Sequence, residues 1–190
     1  MPPNLWFLFY GPNRGQSCSR SHYRLLCPIM IPTHRRLEYA SGYLTLGLLR
    51  EAATELSCIQ GPEAQSAPVL HLRVDLYHQS EQWPQLAQIA ETLAQLVPKK
   101  DQGWISWAFA LRELNRVEEA REVLLSAELL HGKTSAVLHY NLACYACLLG
   151  DRQEAMRRLI KACAMDEEFR QGALDDPDLK PLWDVIAAMP

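Results

Sequence analysis

Three side chains in one stretch of this sequence could hold a metal ion: His71, Asp75 and His78. On a helix their i, i+4 and i+7 spacing sets two imidazoles and a carboxylate on one face. That donor set suits zinc or another divalent cation with one coordination position left open. No fourth ligand and no general base accompanies them in the sequence, and a solvated helix face would carry the same residues. A second pair, Cys144 and Cys147, spells C-x-x-C. Redox use of that motif places the thiolate at the start of a helix that follows a strand. No strand pattern stands upstream here, and no second C-x-x-C completes a zinc site. The sequence also lacks a G-x-S-x-G elbow, a G-x-x-x-x-G-K-[ST] phosphate loop and an H-E-x-x-H pair. Neither catalysis nor a cofactor is expected.

The elements that would position these residues repeat with a period of 34. Segments 33–66, 67–100 and 101–134 follow one another without a gap, and 136–169 follows after a single extra residue, Ser135. A period of this length means stacked helical hairpins. Position 8 of the repeat reads Ala40, Val74, Ala108 and Ala143, and position 20 reads Ala52, Leu86, Ala120 and Ala155. Small side chains are wanted there because the two helices of a hairpin approach closely. Positions 11 (Tyr43, Tyr77, Leu111, Ala146) and 24 (Leu56, Ala90, Leu124, Leu159) fill the space between. Gly47, Asn115 and Gly150 fall at hairpin loops, and Pro98 ends the second hairpin.

This pattern resembles the tetratricopeptide-repeat (TPR) family, with its W-x-x-L-G-x-x-Y first helix and A-x-x-x-F-x-x-A second helix. The resemblance implies an all-α fold, a right-handed α-solenoid of stacked antiparallel hairpins. Departures from the pattern are Arg73 in place of a buried Leu, Arg36 and His139 in place of the position-4 aromatic, and Gly132 in place of the final Pro. The resemblance further implies a non-catalytic protein–protein interaction scaffold, whose concave face, lined by first helices, takes a partner segment. Positions 2, 5, 9 and 12 point into that groove, and the expected contacts are His71, Asp75, His78, Ile105, Phe109, Arg112, Tyr140 and Cys144. Phe109 and Tyr140 are the aromatic anchors, and the C-x-x-C becomes groove lining in mid-helix. A carboxylate clamp of the co-chaperone type is not expected, since positions 5 and 9 of the first repeat are Leu37 and Ser41. Two other functions stay open: a small TPR chaperone of a secretion system, and a metal-dependent activity at His71, Asp75 and His78.

A net charge of −3 implies neither nucleic-acid binding nor an acidic substrate. No run of 18 apolar residues occurs, so no membrane-spanning helix is expected. The six cysteines are irregularly spaced in a chain large enough to have its own core. They read as reduced thiols of a cytoplasmic protein rather than a disulfide framework. Residues 1–32 form an irregular, proline-interrupted extension, expected to be disordered. The first 37 residues carry five arginines and no carboxylate. An organellar targeting segment and a true translation start at Met30 are the alternatives. After the repeats, residues 170–190 read as a capping segment, in which Leu179, Leu182, Trp183 and Ile186 recur at helical spacing to cover the last hairpin.

Overall fold

The computed structural model describes residues 31–188. Met30, Cys18, Cys27 and the expectations attached to residues 1–30 lie outside the described residues. The chain folds as four antiparallel helical hairpins stacked in sequence order. These are α1 (Thr33–Thr45) with α2 (Leu49–Ser57), α3 (Ala67–Gln79) with α4 (Trp83–Leu96), α5 (Asp101–Glu113) with α6 (Val117–His131), and α7 (Ala136–Leu148) with α8 (Arg152–Met165). A short helix α9 (Glu168–Ala173), a 3-10 turn over Pro177–Leu182 and α10 (Trp183–Ala187) complete the described chain.

The small residues explain how each hairpin closes. Ala40, Val74, Ala108 and Ala143 in the first helices are fully buried, as are Ala52, Leu86, Ala120 and Ala155 in the second helices. A larger side chain at such a crossing would force the helices apart. The same turn closes all four hairpins. The amides of Leu48, Gln82, Arg116 and Asp151 donate to the carbonyls of Tyr43, Tyr77, Leu111 and Ala146 at 2.8–2.9 Å. This wrap satisfies carbonyls that the helix end leaves open, and it needs one residue in the left-handed region. That residue is Gly47, Glu81, Asn115 or Gly150. Only Glu81, at φ +55°, is a type with no preference for that conformation. At the start of α7 the extra residue Ser135 accepts a bond from the Leu138 amide, capping the helix.

The departures from the repeat pattern have partners. Arg73 donates to the Ala64 carbonyl at 3.3 Å, and Arg36 pairs with Glu55 at 2.8 Å. His139 is wholly buried, with Nε2 2.8 Å from the Gly132 carbonyl and Nδ1 3.2 Å from Arg158, which also pairs with Glu128 and Glu154. Burial lowers the His139 pKa, so the ring is neutral and can accept from Arg158 while donating to Gly132.

Neighbouring first helices are unevenly spaced. α1 lies against α3 and α5 against α7, while α3 and α5 stand further apart. Gly103 on α5 allows a tight tuck against α4: a Cβ placed there would sit 2.7 Å from the Ala94 amide nitrogen. Past α8 the chain turns back over α7. Leu179, Leu182 and Ile186 are buried in the core shared with hairpins three and four, and Trp183 packs at its edge. The expected single helix at this end is split, because Pro181 lies inside its first turns and the backbone takes the tighter 3-10 form before α10.

Candidate functional site on the first-helix face

The two halves of the first-helix face differ. Toward the C-terminal end the chain covers its own groove. Arg112 on α5 holds the Asp178 carboxylate with two nitrogens, Nε at 2.9 Å, and its Nη1 reaches Glu113 at 2.7 Å. Burial acts against the Arg112 charge, but hydrogen bonds and attraction from Asp178 and Glu113 outweigh it and the guanidinium stays charged. The Tyr140 hydroxyl donates to Asp176 at 2.8 Å, the Cys144 thiol approaches the same oxygen at 3.7 Å, and the Tyr140 ring lies 5.0 Å from Phe169. Tyr140 and Cys144 are each only 4% exposed. The sequence-level assignment of Arg112, Tyr140 and Cys144 as partner contacts therefore needs correcting. The cap segment 176–182 already occupies that end of the face. Its leucines belong to the core, so it is a structural cover rather than a loose plug. Ile105 is corrected as well: it is 8% exposed and packs in the same core, because α5 and α7 close over it.

Toward the middle of the solenoid the face is half open, between α3 and α5. His71 faces the Gln102 side chain of α5, which favours the charged imidazole against the burial that lowers its pKa. Two turns further on, the His78 ring is 5.1 Å from Phe109 and 5.9 Å from Trp83, and Trp83 and Phe109 meet edge to face at 5.8 Å. These contacts bracket a slot, and Asp75 stands between them on α3, one turn from each histidine. Asp75 has no hydrogen bond or ion pair among the described residues, and burial pushes its pKa up to about 6. Burial likewise pushes His78 down to about 4 and lowers His71. All four side chains, His71, Asp75, His78 and Phe109, are half-buried rather than sealed. Trp83 is the member that repeat position alone does not pick out. It opens α4 rather than lying on a first helix, and only the turn at Glu81 swings it beside Phe109.

The ligand atoms of His71, Asp75 and His78 do not converge. Among the described residues such atoms gather only at Cys144, Asp176 and Asp178. There the Arg112 guanidinium already pairs with Asp178, while Asp176 is taken up by Tyr140 and by the Asp178 amide at 2.9 Å. Cys144 and Cys147 lie within α7, both free and buried, and burial raises both thiols, Cys144 most strongly. A thiol held protonated in mid-helix is a poor nucleophile. No helix of the described residues is long and apolar enough to cross a membrane.

Among solved structures the chain is similar to TTC0263, a thermophilic TPR protein of Thermus thermophilus. That match has 20% identity and a TM-score of 0.62, over 82% of this chain and 83% of that one. It is also similar to the MamA protein, at 14% identity and a TM-score of 0.67, over 82% of this chain and 86% of the other. No protein-family model and no curated protein matches the chain. At these identities the likeness shows the fold: an all-α solenoid of the TPR type.

Proposed function

We propose that the chain is a non-catalytic protein-interaction module that takes a segment of a partner protein into the concave slot between α3 and α5. One observation carries the reading. Along the first-helix face, the stretch around His71, Asp75, His78 and Phe109 is left half open, while the other expected groove contacts are covered by the cap or the core. Half-open aromatic rings with polar groups beside them suit an extended or helical peptide. The buried, protonated thiols and phenols of α7 supply no nucleophile. The free cysteines among the described residues fit a reducing compartment, and the reading includes a cytoplasmic location.

The test is selection of binding peptides from a random displayed library on the full-length protein, followed by affinity measurement with Phe109→Ala. Loss of about 2 kcal/mol in binding is expected from removing a central aromatic anchor, with the circular dichroism spectrum retained and a lowered but still cooperative melt, since the ring also packs on the core. Selected peptides that bind Phe109→Ala as they bind the parent would sink the assignment. Tyr140 is unsuitable for this purpose because it ties down the cap.

A further inference from the structure

The slot between α3 and α5 has a definite electrostatic character. Asp75 sits at its middle, with His71 and Gln102 on one side and the His78, Phe109 and Trp83 rings on the other. We propose that this slot receives a cationic side chain, lysine or arginine, from the partner segment, with Asp75 as its counter-ion and the Phe109 and Trp83 rings as its flank. The inference rests on the groove reading above and adds the class of residue recognised.

Three observations support a cation. A part-buried carboxylate with no hydrogen-bonding partner among the described residues is an unfavourable arrangement that an incoming ammonium or guanidinium would relieve. The nearby cations do not fill the role. Arg112 is engaged by Asp178 and Glu113, and Lys100, at the exposed rim before α5, acts on His71. The aromatic trio one turn from Asp75 adds the ring faces and edges against which the stem or head of such a side chain packs.

The experiment uses a random dodecapeptide library panned on the full-length protein. Enriched peptides are resynthesised with each Lys or Arg kept or changed to Gln, and titrated by fluorescence anisotropy against the parent protein, Asp75→Asn and Phe109→Ala. The expected result is one basic residue whose change to Gln weakens binding to the parent roughly tenfold. That change should have no further effect on Asp75→Asn, which itself binds the unaltered peptide about as weakly. Peptides that lose binding with Phe109→Ala but are indifferent to Asp75→Asn would overturn the cation while leaving the groove in place. So would enrichment of acidic peptides that depend on Phe109. Self-association of the parent that Asp75→Asn abolishes would overturn the partner segment in favour of a second copy. Failure to enrich any peptide, or peptides indifferent to both substitutions, would remove the groove reading and this inference together.

Discussion

Asp75 is ionised at neutral pH against the preference of its surroundings, and this has a measurable sign. Its pKa in the fold, about 6, lies above the ordinary carboxylate value because burial penalises the charge. A group raised in this way contributes stability that is fully present below its unfolded pKa and is lost as pH rises through its folded pKa. The Asp75→Asn protein should therefore match the parent below about pH 4 and exceed it by about 1–2 kcal/mol above pH 6, allowing for the half-open position. Urea titrations across that range measure the difference, and a parent more stable than Asp75→Asn at pH 7 would contradict it. His78 runs the other way. Burial depresses it to about 4, so its share of stability is lost as pH falls from its ordinary value toward 4. In the parent the two trends oppose each other, and Asp75→Asn leaves the histidine trend exposed. The type and spacing of His71, Asp75 and His78 were legible as one helical face. That Trp83 stands beside His78 and Phe109 was not, because it arrives from the start of α4 rather than from a first helix.

The helical hairpin shows why some turns could be read from sequence and one could not. Gly47, Asn115 and Gly150 are residue types that tolerate a positive φ, so they announce their loops. Glu81 performs the same task with the same backbone bond, Gln82 to Tyr77, but its type carries no such signal. Glu81→Gly should stabilise the protein by about 1 kcal/mol, the left-handed penalty removed less the entropy glycine adds to the unfolded chain. A lowered melting temperature would contradict this. At Gly103 the sign reverses. An alanine there would press on the Ala94 backbone, and Gly103→Ala should cost about 1–3 kcal/mol by over-packing. Thermal melts of the two variants, made side by side, check both. The crossing positions were readable because small residues recur there at fixed offsets. The broken helix at the C-terminal end was foreshadowed only by Pro181.

At the scale of the whole molecule, the cap decides how much of the first-helix face is left uncovered. Arg112 and Asp178 are distant in sequence and no local pattern links them, so repeat position alone assigns Tyr140 and Cys144 to the groove although the returning chain covers them. Asp178→Ala leaves the Arg112 charge half-buried with Glu113 alone and should cost about 2–3 kcal/mol, less than a fully buried pair because the guanidinium keeps some solvent. Guanidinium titration measures this, and a loss below a few tenths of a kcal/mol would show that the cap is held by its leucines alone. The central claim, that a partner segment docks between α3 and α5 and not beneath the cap or on the outer helices, is tested most directly by hydrogen–deuterium exchange. The full-length protein would be compared with and without a selected peptide. Slowed exchange confined to α3, α5 and the start of α4 is the predicted result. Slowed exchange centred on α6 and α8, with α3 and α5 unchanged, would contradict it.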